Sequence, residues 1–212
     1  MGVPRGAGVR GPEGEDHGLA AQHRAILMQL IEEACVQLLD AYSVPVRHVA
    51  EGRFAVPSGL HDPPAGAPAV DHPLFGIVGF TGQIRGCLTV IASAGLLGST
   101  FPTIAEGAAP PSRPELLDWA GEMANQTLGR IKRLFCQRGV DFEASTPTVG
   151  DAREMTQAAP PGASKVALVL TSRGEQGLMS VGFEVVPRND GTIFDDPSVP
   201  IDCAPEGDLV LF

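Results

Sequence analysis

Hydrophobic residues recur at helical spacing near the start of the chain. Between residues 19 and 42 they fall every three or four positions, whereas Glu32, Glu33 and Gln37 occupy the other side. This period is typical of an amphipathic helix, so a long helix is predicted over residues 19–42, and Pro45 ends it. The side chains predicted to be buried are Ile26, Leu27, Leu30, Ile31, Ala34, Leu38 and Tyr42.

Runs of β-branched and aromatic residues, separated by turn residues, predict strands. A strand is predicted over residues 46–56 and a short one over 140–145. The first hairpin is predicted over 74–92, with its turn at Thr81-Gly82-Gln83. A second hairpin is predicted over 165–171 and 178–186, with its turn at Ser172-Arg173-Gly174, and a short helix over 94–104.

A second long helix is predicted over residues 114–137. Ser112 and Glu115 have the spacing of a capping box, Pro114 suits the first turn, and Gly139 suits the end. On a projection of about 100° per residue, one side of this helix is apolar. That side holds Leu116, Ala120, Met123, Ala124, Thr127, Ile131, Leu134 and Phe135.

The opposite side of the second helix carries a distinctive set of polar residues and glycines: Asp118, Glu122, Asn125, Gly129 and Arg133. Glu122 and Asn125 are three positions apart, so their side chains can act on one target together. Gly121 and Gly129 flank the pair, although a glycine in a helix interior costs about 0.8–1 kcal/mol relative to alanine. Such spacing also occurs on ordinary solvated helix faces, so helical geometry leaves both interpretations open.

The order of these elements predicts the fold class and the domain boundaries. We expect an α/β (α+β) domain in which a mainly antiparallel sheet packs against two long helices. Residues 1–17 lack periodicity and are predicted to form a disordered tail. The domain is predicted over residues 18–186, followed by an acidic, proline-rich tail over 187–212.

Composition and charge limit the kinds of partner. The chain has 212 residues, a formal net charge of -10, and lysine only at Lys132 and Lys165. It lacks the clustered cations with which proteins bind nucleic acids or anionic membranes. It also lacks an apolar run of roughly 18 residues, a secretory signal and a C-x-x-C pair, so a cytoplasmic location is predicted.

Other chemistries have little support in the sequence. His61, Asp62, Asp71 and His72 could be imagined as metal ligands, but the Pro/Ala/Gly-rich loop between them favours ordinary solvated residues, and no metal site is predicted. The G-x-S-x-G, H-E-x-x-H and P-loop patterns do not occur, so those hydrolytic and nucleotide-binding functions are not indicated.

Three segments resemble the CheX/CheC/FliY family of chemotaxis phosphatases. The helix segment is Glu122-Met123-Ala124-Asn125, followed by Gly129 and Lys132. The upstream hairpin consists of Ile77-Val78-Gly79-Phe80-Thr81-Gly82 and Gly86-Cys87-Leu88-Thr89-Val90. The downstream S-x-P-x-V segment is Phe142-Glu143-Ala144-Ser145-Thr146-Pro147-Thr148-Val149, followed by Gly150. The resemblance covers about residues 20–186, and the single E-x-x-N helix is more like CheX than the two-site CheC.

The resemblance implies a CheC-like fold and a phosphatase that acts on the phospho-aspartate of a CheY-like response-regulator receiver domain. In such an enzyme Asn125 would orient the attacking water, and Glu122 would pair with the receiver's active-site lysine. Asp118, Gly121 and Gly129 would contact this partner. No cofactor of its own is implied, because the Mg²⁺ would belong to the receiver.

A second function stays open beside the first. A member of this family could bind a receiver as a scaffolding module without hydrolysing its phosphate. The presence of both Glu122 and Asn125 favours the enzyme, because binding alone would not require the amide. The resemblance also implies a homodimer, since an open sheet has an edge that a second copy could pair with.

Overall fold

Helices and strands follow one another along the chain much as the hydrophobic pattern predicts. The computed structural model describes residues 19–51, 73–102, 109–155, 162–172, 178–188 and 190–195. In chain order the elements of this part are α1 (Ala21–Ala41), β1 (Val46–Glu51), β2 (Leu74–Gly82), β3 (Arg85–Ala92), α2 (Ala94–Thr100), α3 (Arg113–Cys136), β4 (Phe142–Ala144), β5 (Thr148–Asp151), β6 (Ser164–Ser172) and β7 (Leu178–Val186).

The strands form one antiparallel sheet. Their order is β1-β6-β7-β3-β2-β4, and β5 also pairs with β2. Both predicted hairpins are present, as β2 with β3 and β6 with β7. The first hairpin turns at Gln83 and Ile84, slightly later than predicted, and the predicted turn of the second lies partly outside the described residues.

Both long helices cover one face of this sheet. Every side chain predicted to be buried on α3 is buried, and on α1 only Ile26 and Tyr42 are half-buried instead. These residues share one core with alternate positions of the central strands, such as Val78, Leu88 and Val181. The predicted fold class, a mainly antiparallel sheet against two long helices, is confirmed. No helix in the described ranges has the length and apolar character needed to cross a bilayer.

A glycine in β2 allows α3 to lie very close to the sheet. A Cβ atom added at Gly76 would lie 2.5 Å from the carbonyl oxygen of Ala120 and 2.9 Å from the Cβ of Ala124. Any larger residue at position 76 would therefore push the helix away from the strand. The buried face of α3 is thereby fixed, and so is the direction of the opposite face.

The edge of the sheet beside β2 is interrupted between β4 and β5, which was not predicted from the sequence. The expected strand over 140–145 is present as β4, but β5 was missed because Pro147 was taken to end the strand. Between them the backbone N–H of Ser145 donates to Gly79 O (2.8 Å), and the N–H of Gly79 donates to Ser145 Oγ (3.0 Å). The serine side chain thus replaces a ladder hydrogen bond, so that β2 keeps an edge partner on both sides of the break.

The packed domain extends beyond the predicted boundary at residue 186. Ile193 and Phe194 are buried in the main core, and their backbone N–H groups donate to His23 Nδ1 at 3.3 and 3.4 Å. Two apolar residues in an acidic, proline-rich stretch form no periodic pattern, so the sequence assigned them to the tail. Residues 1–18 and 196–212 lie outside the described residues, as do most of the predicted loops.

Candidate functional site

Helix α3 is held firmly at its first turn. The Glu115 carboxylate accepts hydrogen bonds from the backbone N–H and the hydroxyl of Ser112, at 2.7 and 2.6 Å. Arg113 Nη2 donates to Asp151 Oδ2 at 2.7 Å, which ties the start of the helix to the end of β5. Since its buried face also lies against β2, α3 is a rigid mount for whatever its outer face carries.

The two carboxylates at this end of α3 have lowered pKa values. Burial by itself raises the pKa of Asp151, but hydrogen bonds from Arg153 and the positive charges of Arg153 and Arg113 outweigh it and hold the pKa below its ordinary value. The hydrogen bonds from the hydroxyl and backbone of Ser112 lower the pKa of Glu115. Both groups therefore remain ionised where they anchor the helix.

The outer face of α3 presents the predicted site residues in the order expected from helical geometry. Glu122 and Asn125 are half-buried, whereas Asp118, about one turn earlier, and Gly129, about one turn later, are exposed. Residues three and four apart on a helix have Cβ atoms about 5–6 Å apart, so the carboxylate and the amide can reach one small target. The structure thus brings these four residues to one surface.

Asn125 has unused hydrogen-bonding capacity. Among the residues that the structure describes, no donor or acceptor bonds to its side chain. A primary amide offers one carbonyl oxygen and two N–H donors, and none of them is used by a described residue. Such a group can bind a water molecule without first breaking an internal hydrogen bond.

Glu122 is held by a neighbour that the sequence analysis did not assign to the site. Gln126 Nε2 donates to Glu122 Oε1 at 2.9 Å, and the hydroxyl of Tyr42 donates to Gln126 Oε1 at 2.8 Å. The only local signal was the spacing of Glu122 and Gln126, which are four residues apart on a helix and can pair. Tyr42 comes from the end of α1, so nothing nearby in sequence indicates its part.

Tyr42 is itself positioned by the aromatic cluster beneath it. Its ring meets that of Trp119 edge-on, with centroids 5.5 Å apart. The indole Nε1 of Trp119 donates to Thr100 Oγ1 of α2 at 3.0 Å, and Phe101 also meets the indole edge-on. Trp119 is buried, so the hydrogen bonds that run from Tyr42 through Gln126 to Glu122 begin at a packed aromatic cluster.

The two glycines beside the pair have different surroundings. A Cβ added at Gly129 would meet nothing within 4 Å, so packing within the described chain does not explain this glycine. Gly121 is buried, and a Cβ there would lie 2.8 Å from Val149 Cγ1 and 3.5 Å from Pro147 Cγ. The space that Gly121 leaves is occupied by the segment around β5, so its predicted contact with a partner is corrected: it packs within this domain.

Two other reactive groups, the Cys35 thiol and the Lys132 ammonium, have surroundings different from those of the pair. Burial, together with the nearby charge of Glu32, raises the pKa of the Cys35 thiol to about 12, so it is not a nucleophile at neutral pH. Lys132, in the last turns of α3, forms an ion pair with Asp141, which lies beyond the end of the helix, at 3.4 Å. In the described ranges no three His, Cys, Asp or Glu side chains form a group that could hold a metal ion, and His61, Asp62, Asp71 and His72 lie outside those ranges.

The sequence around this site matches the model of a known protein family. The family model described as chemotaxis phosphatase CheX matches residues 74–171, which include the whole of α3. Residues 74–171 are thus similar to the CheX family. The CheX match therefore contains Glu122 and Asn125, and also the hairpin and the S-x-P-x-V segment on which the resemblance rested. No curated protein matches the chain by sequence.

Several solved structures are similar to this domain in fold. The chemotaxis protein CheX from Vibrio vulnificus is similar with a TM-score of 0.56 and 18% identity, over 76% of this chain and 97% of that one. A CheC-like superfamily protein from Shewanella sp. PV-4 has a TM-score of 0.54 and 17% identity, over 76% of this chain and 97% of that one. A chemotactic CheC-like protein from Shewanella oneidensis MR-1 has a TM-score of 0.55 and 16% identity, over 76% of this chain and 98% of that one.

Proposed function

We propose that this domain hydrolyses the phospho-aspartate of a CheY-like response-regulator receiver domain. The observation that carries the proposal is the pairing on α3 of an amide without a hydrogen-bond partner among the described residues, Asn125, with an anchored carboxylate, Glu122. The CheX family match supplies the reaction class. The outer face of α3 supplies residues that could carry out this reaction from outside the receiver.

Asn125 positions the attacking water in this proposal. Its carbonyl oxygen accepts a hydrogen bond from the water, so that a lone pair of the water oxygen faces phosphorus, in line with the leaving carboxylate. The new bond joins water oxygen to phosphorus, the bond between phosphorus and the aspartate oxygen breaks, and the water protons pass to phosphate and solvent. A neutral amide does this without having to change its charge with pH.

Glu122 fixes the docking geometry. Its carboxylate pairs with the lysine ammonium of the receiver's active site, which aligns the two proteins so that Asn125 reaches the phosphoryl group. The Mg²⁺ that neutralises phosphoryl charge belongs to the receiver. In this proposal the domain therefore contributes position and one held water.

The test is to follow the loss of phosphate from phosphorylated receivers of the same organism. Three forms of the full chain are compared: the wild type, Asn125→Ala and Gln29→Ala. Gln29 is an exposed amide on α1, so its replacement is the matched control. We expect Asn125→Ala to lower the rate about 100-fold or more, since a misplaced nucleophile can cost that much. Gln29→Ala should hydrolyse like wild type.

Binding to a beryllofluoride-treated receiver distinguishes the two candidate functions. If Asn125→Ala binds like wild type but does not hydrolyse, the enzymatic proposal is supported. If wild type binds a receiver but phosphate is lost only at the spontaneous rate for every receiver tried, the domain is a receiver-binding module. An Asn125→Ala variant that hydrolyses at the wild-type rate would refute the assigned role of the amide.

We also infer that the domain forms a homodimer, as the resemblance implies. In the described sheet, β1 and the β4/β5 pair are the edge strands, and an edge strand can pair with a second copy. Light scattering at micromolar concentration should give twice the monomer mass. A monomer mass would remove this part of the proposal.

A further inference from the structure

We infer that Gln126 is a positioning residue, which holds the Glu122 carboxylate in the orientation required for docking, and that Tyr42 holds Gln126 in turn. This inference rests on the proposed function and deepens it. The carrying observation is a continuous chain of side-chain hydrogen bonds, from Tyr42 Oη to Gln126 Oε1 (2.8 Å) and from Gln126 Nε2 to Glu122 Oε1 (2.9 Å).

The direction of these hydrogen bonds suits an acceptor at the end of the chain. The tyrosine hydroxyl donates to the amide oxygen, which leaves the amide N–H groups to donate to the carboxylate. Each bond polarises the next, and the last donor meets a carboxylate oxygen. An amide can accept from Tyr42 and donate to Glu122 at once. A carboxylate at position 126 could not donate, and an apolar residue could do neither.

The chain of bonds also leaves the reactive positions free. Only Oε1 of Glu122 is used, and among the described residues nothing bonds to Oε2, which remains available to a cation of the partner. Asn125 takes no part in it. Gln126 should therefore affect how tightly the receiver docks, with little influence on the held water.

The anchor of this network comes from another helix. Tyr42 follows the last residue of α1, and its ring is packed against Trp119. Because the hydroxyl is carried by a packed ring, it restricts the rotamers of Gln126, and Gln126 restricts those of Glu122. A flexible glutamate loses rotamer freedom when a partner binds it, and a glutamate that is already ordered loses less.

A second polar bridge between the same helices provides a matched control. Arg133 Nη2 donates to Gln37 Oε1 at 3.0 Å, and Gln37 Nε2 donates to Glu33 at 3.1 Å. This bridge joins α3 to α1 as Gln126 and Tyr42 do, but it does not touch Glu122. Its loss therefore reports what a merely structural contact between the two helices contributes.

The experiment compares Gln126→Met, Tyr42→Phe and Gln37→Met in steady-state hydrolysis of a phosphorylated receiver. Methionine keeps the length and helix propensity of glutamine without its amide, and phenylalanine keeps the ring against Trp119. Loss of an interaction made equally in ground and transition states raises KM and leaves kcat unchanged. We expect Gln126→Met to raise KM about 10-fold and Tyr42→Phe about 3-fold, with kcat within about 2-fold, and Gln37→Met to behave like wild type.

A double-mutant cycle tests whether Gln126 acts through Glu122. In a Glu122→Ala background, Gln126→Met should have no further effect on KM, because the group that it positions is gone. An equal rise of KM in both backgrounds would overturn the inference, as would a Gln126→Met enzyme with wild-type KM. Thermal unfolding of each variant shows whether a change in KM merely follows a loss of fold.

The two proposals fail in different ways. If wild type hydrolyses a receiver and Gln126→Met does so with the same KM, only the positioning role is lost. If wild type binds but does not hydrolyse, the same variants are compared by their affinity for the beryllofluoride-treated receiver, with the same expected ratios. If wild type neither binds nor hydrolyses any receiver, the proposed function and this inference fall together.

Discussion

Glu122 and Asn125 are held in opposite ways, and each way suits a different task. The carboxylate is fixed by Gln126, whereas the amide of Asn125 has no hydrogen-bond partner in the described chain. A group that must align two proteins gains from being ordered before they meet. A group that must hold a water needs its donors and acceptor unused. The hydrogen bonds of the pair therefore support the two different roles that we propose for Glu122 and Asn125.

At the residue scale, Gly129 offers a test of whether a partner approaches this face. A Cβ there meets nothing within 4 Å, so Gly129→Ala should raise the free energy of unfolding by up to about 1 kcal/mol in urea denaturation. Gly129→Leu should keep that stability but weaken receiver binding, because the side chain projects into the space that the receiver would occupy.

Gly98 of α2 is the matched control for this substitution. It also lies in a helix with nothing within 4 Å of an added Cβ, but on another element. Gly98→Leu should leave receiver affinity unchanged. If Gly129→Leu binds the receiver as tightly as Gly98→Leu does, the receiver does not approach at Gly129.

At the scale of the elements, the end of α1 determines where Tyr42 lies. Ser43 has a left-handed backbone with φ of 58°, its N–H donates to Asp40 O, and the N–H of Val44 donates to Leu39 O, both at 2.9 Å. These two bonds reverse the chain immediately after the helix, as in a Schellman motif. Tyr42, the residue just before this reversal, is the C-cap residue of α1 and lies beside α3.

Ser43→Gly should stabilise the domain because glycine adopts this backbone without strain. A left-handed conformation costs about 1–2 kcal/mol for an ordinary residue, and the greater freedom of glycine in the unfolded chain offsets part of the gain. We expect a net increase of about 0.5–1 kcal/mol in the free energy of unfolding. Ser43→Ala keeps the strain and serves as the control. Equal stabilities of the two variants would show that Ser43 is not strained.

At the scale of the whole molecule, an ion-pair cluster and an aromatic cluster join segments that are far apart in the sequence. Asp151 accepts hydrogen bonds from Arg113 of α3 and from Arg153, and it is only 8% exposed. It fastens the helix that carries the site to the interrupted edge of the sheet. Phe194 closes the other end of the same core against His23 and Phe135, with ring centroids 5.9 and 5.1 Å away.

The lowered pKa of Asp151 predicts how stability depends on acid. A carboxylate with a lower pKa in the folded state stabilises the fold fully above its ordinary pKa of about 3.9, and this contribution is lost as pH falls through the folded value. Asp151→Asn should lose about 1.5–3 kcal/mol at pH 7, as expected for hydrogen bonds to a charged group. Its free energy of unfolding should then fall less steeply than that of wild type between about pH 5 and pH 2.

Glu143→Gln is the control for this titration, since Glu143 is exposed and has no ion pair among the described residues. It should reproduce the wild-type acid profile. An Asp151→Asn variant with the wild-type slope would show that Asp151 does not contribute to acid unfolding. Asp141 also has a lowered pKa, because hydrogen bonds to Phe142 and the charge of Lys132 outweigh its desolvation, so part of the slope should remain.

Local pattern was sufficient for most of the elements and for the face of the site. The apolar stripe of α3 repeats at 3.6 residues, Glu115 follows Ser112 at the start, and Gly139 adopts a left-handed φ of 75° just after the end. Such signals act within one or two turns of a helix, so they can be read without knowing the fold. Once the buried side of α3 was predicted, the opposite side that carries Glu122 and Asn125 followed from geometry.

Sequence alone thus determined the helices, the paired strands and which residues of α3 face outward, because these depend on neighbours a few positions away. Tertiary structure decided what those residues touch. Tyr42 and Gln126 are 84 positions apart, and Gly121 meets Val149 of a strand that sequence did not predict. Phe194 and Phe135 likewise meet only because the chain folds back on itself. Contacts between distant segments depend on how whole elements pack, and a local pattern of hydrophobic and polar residues does not predict that packing.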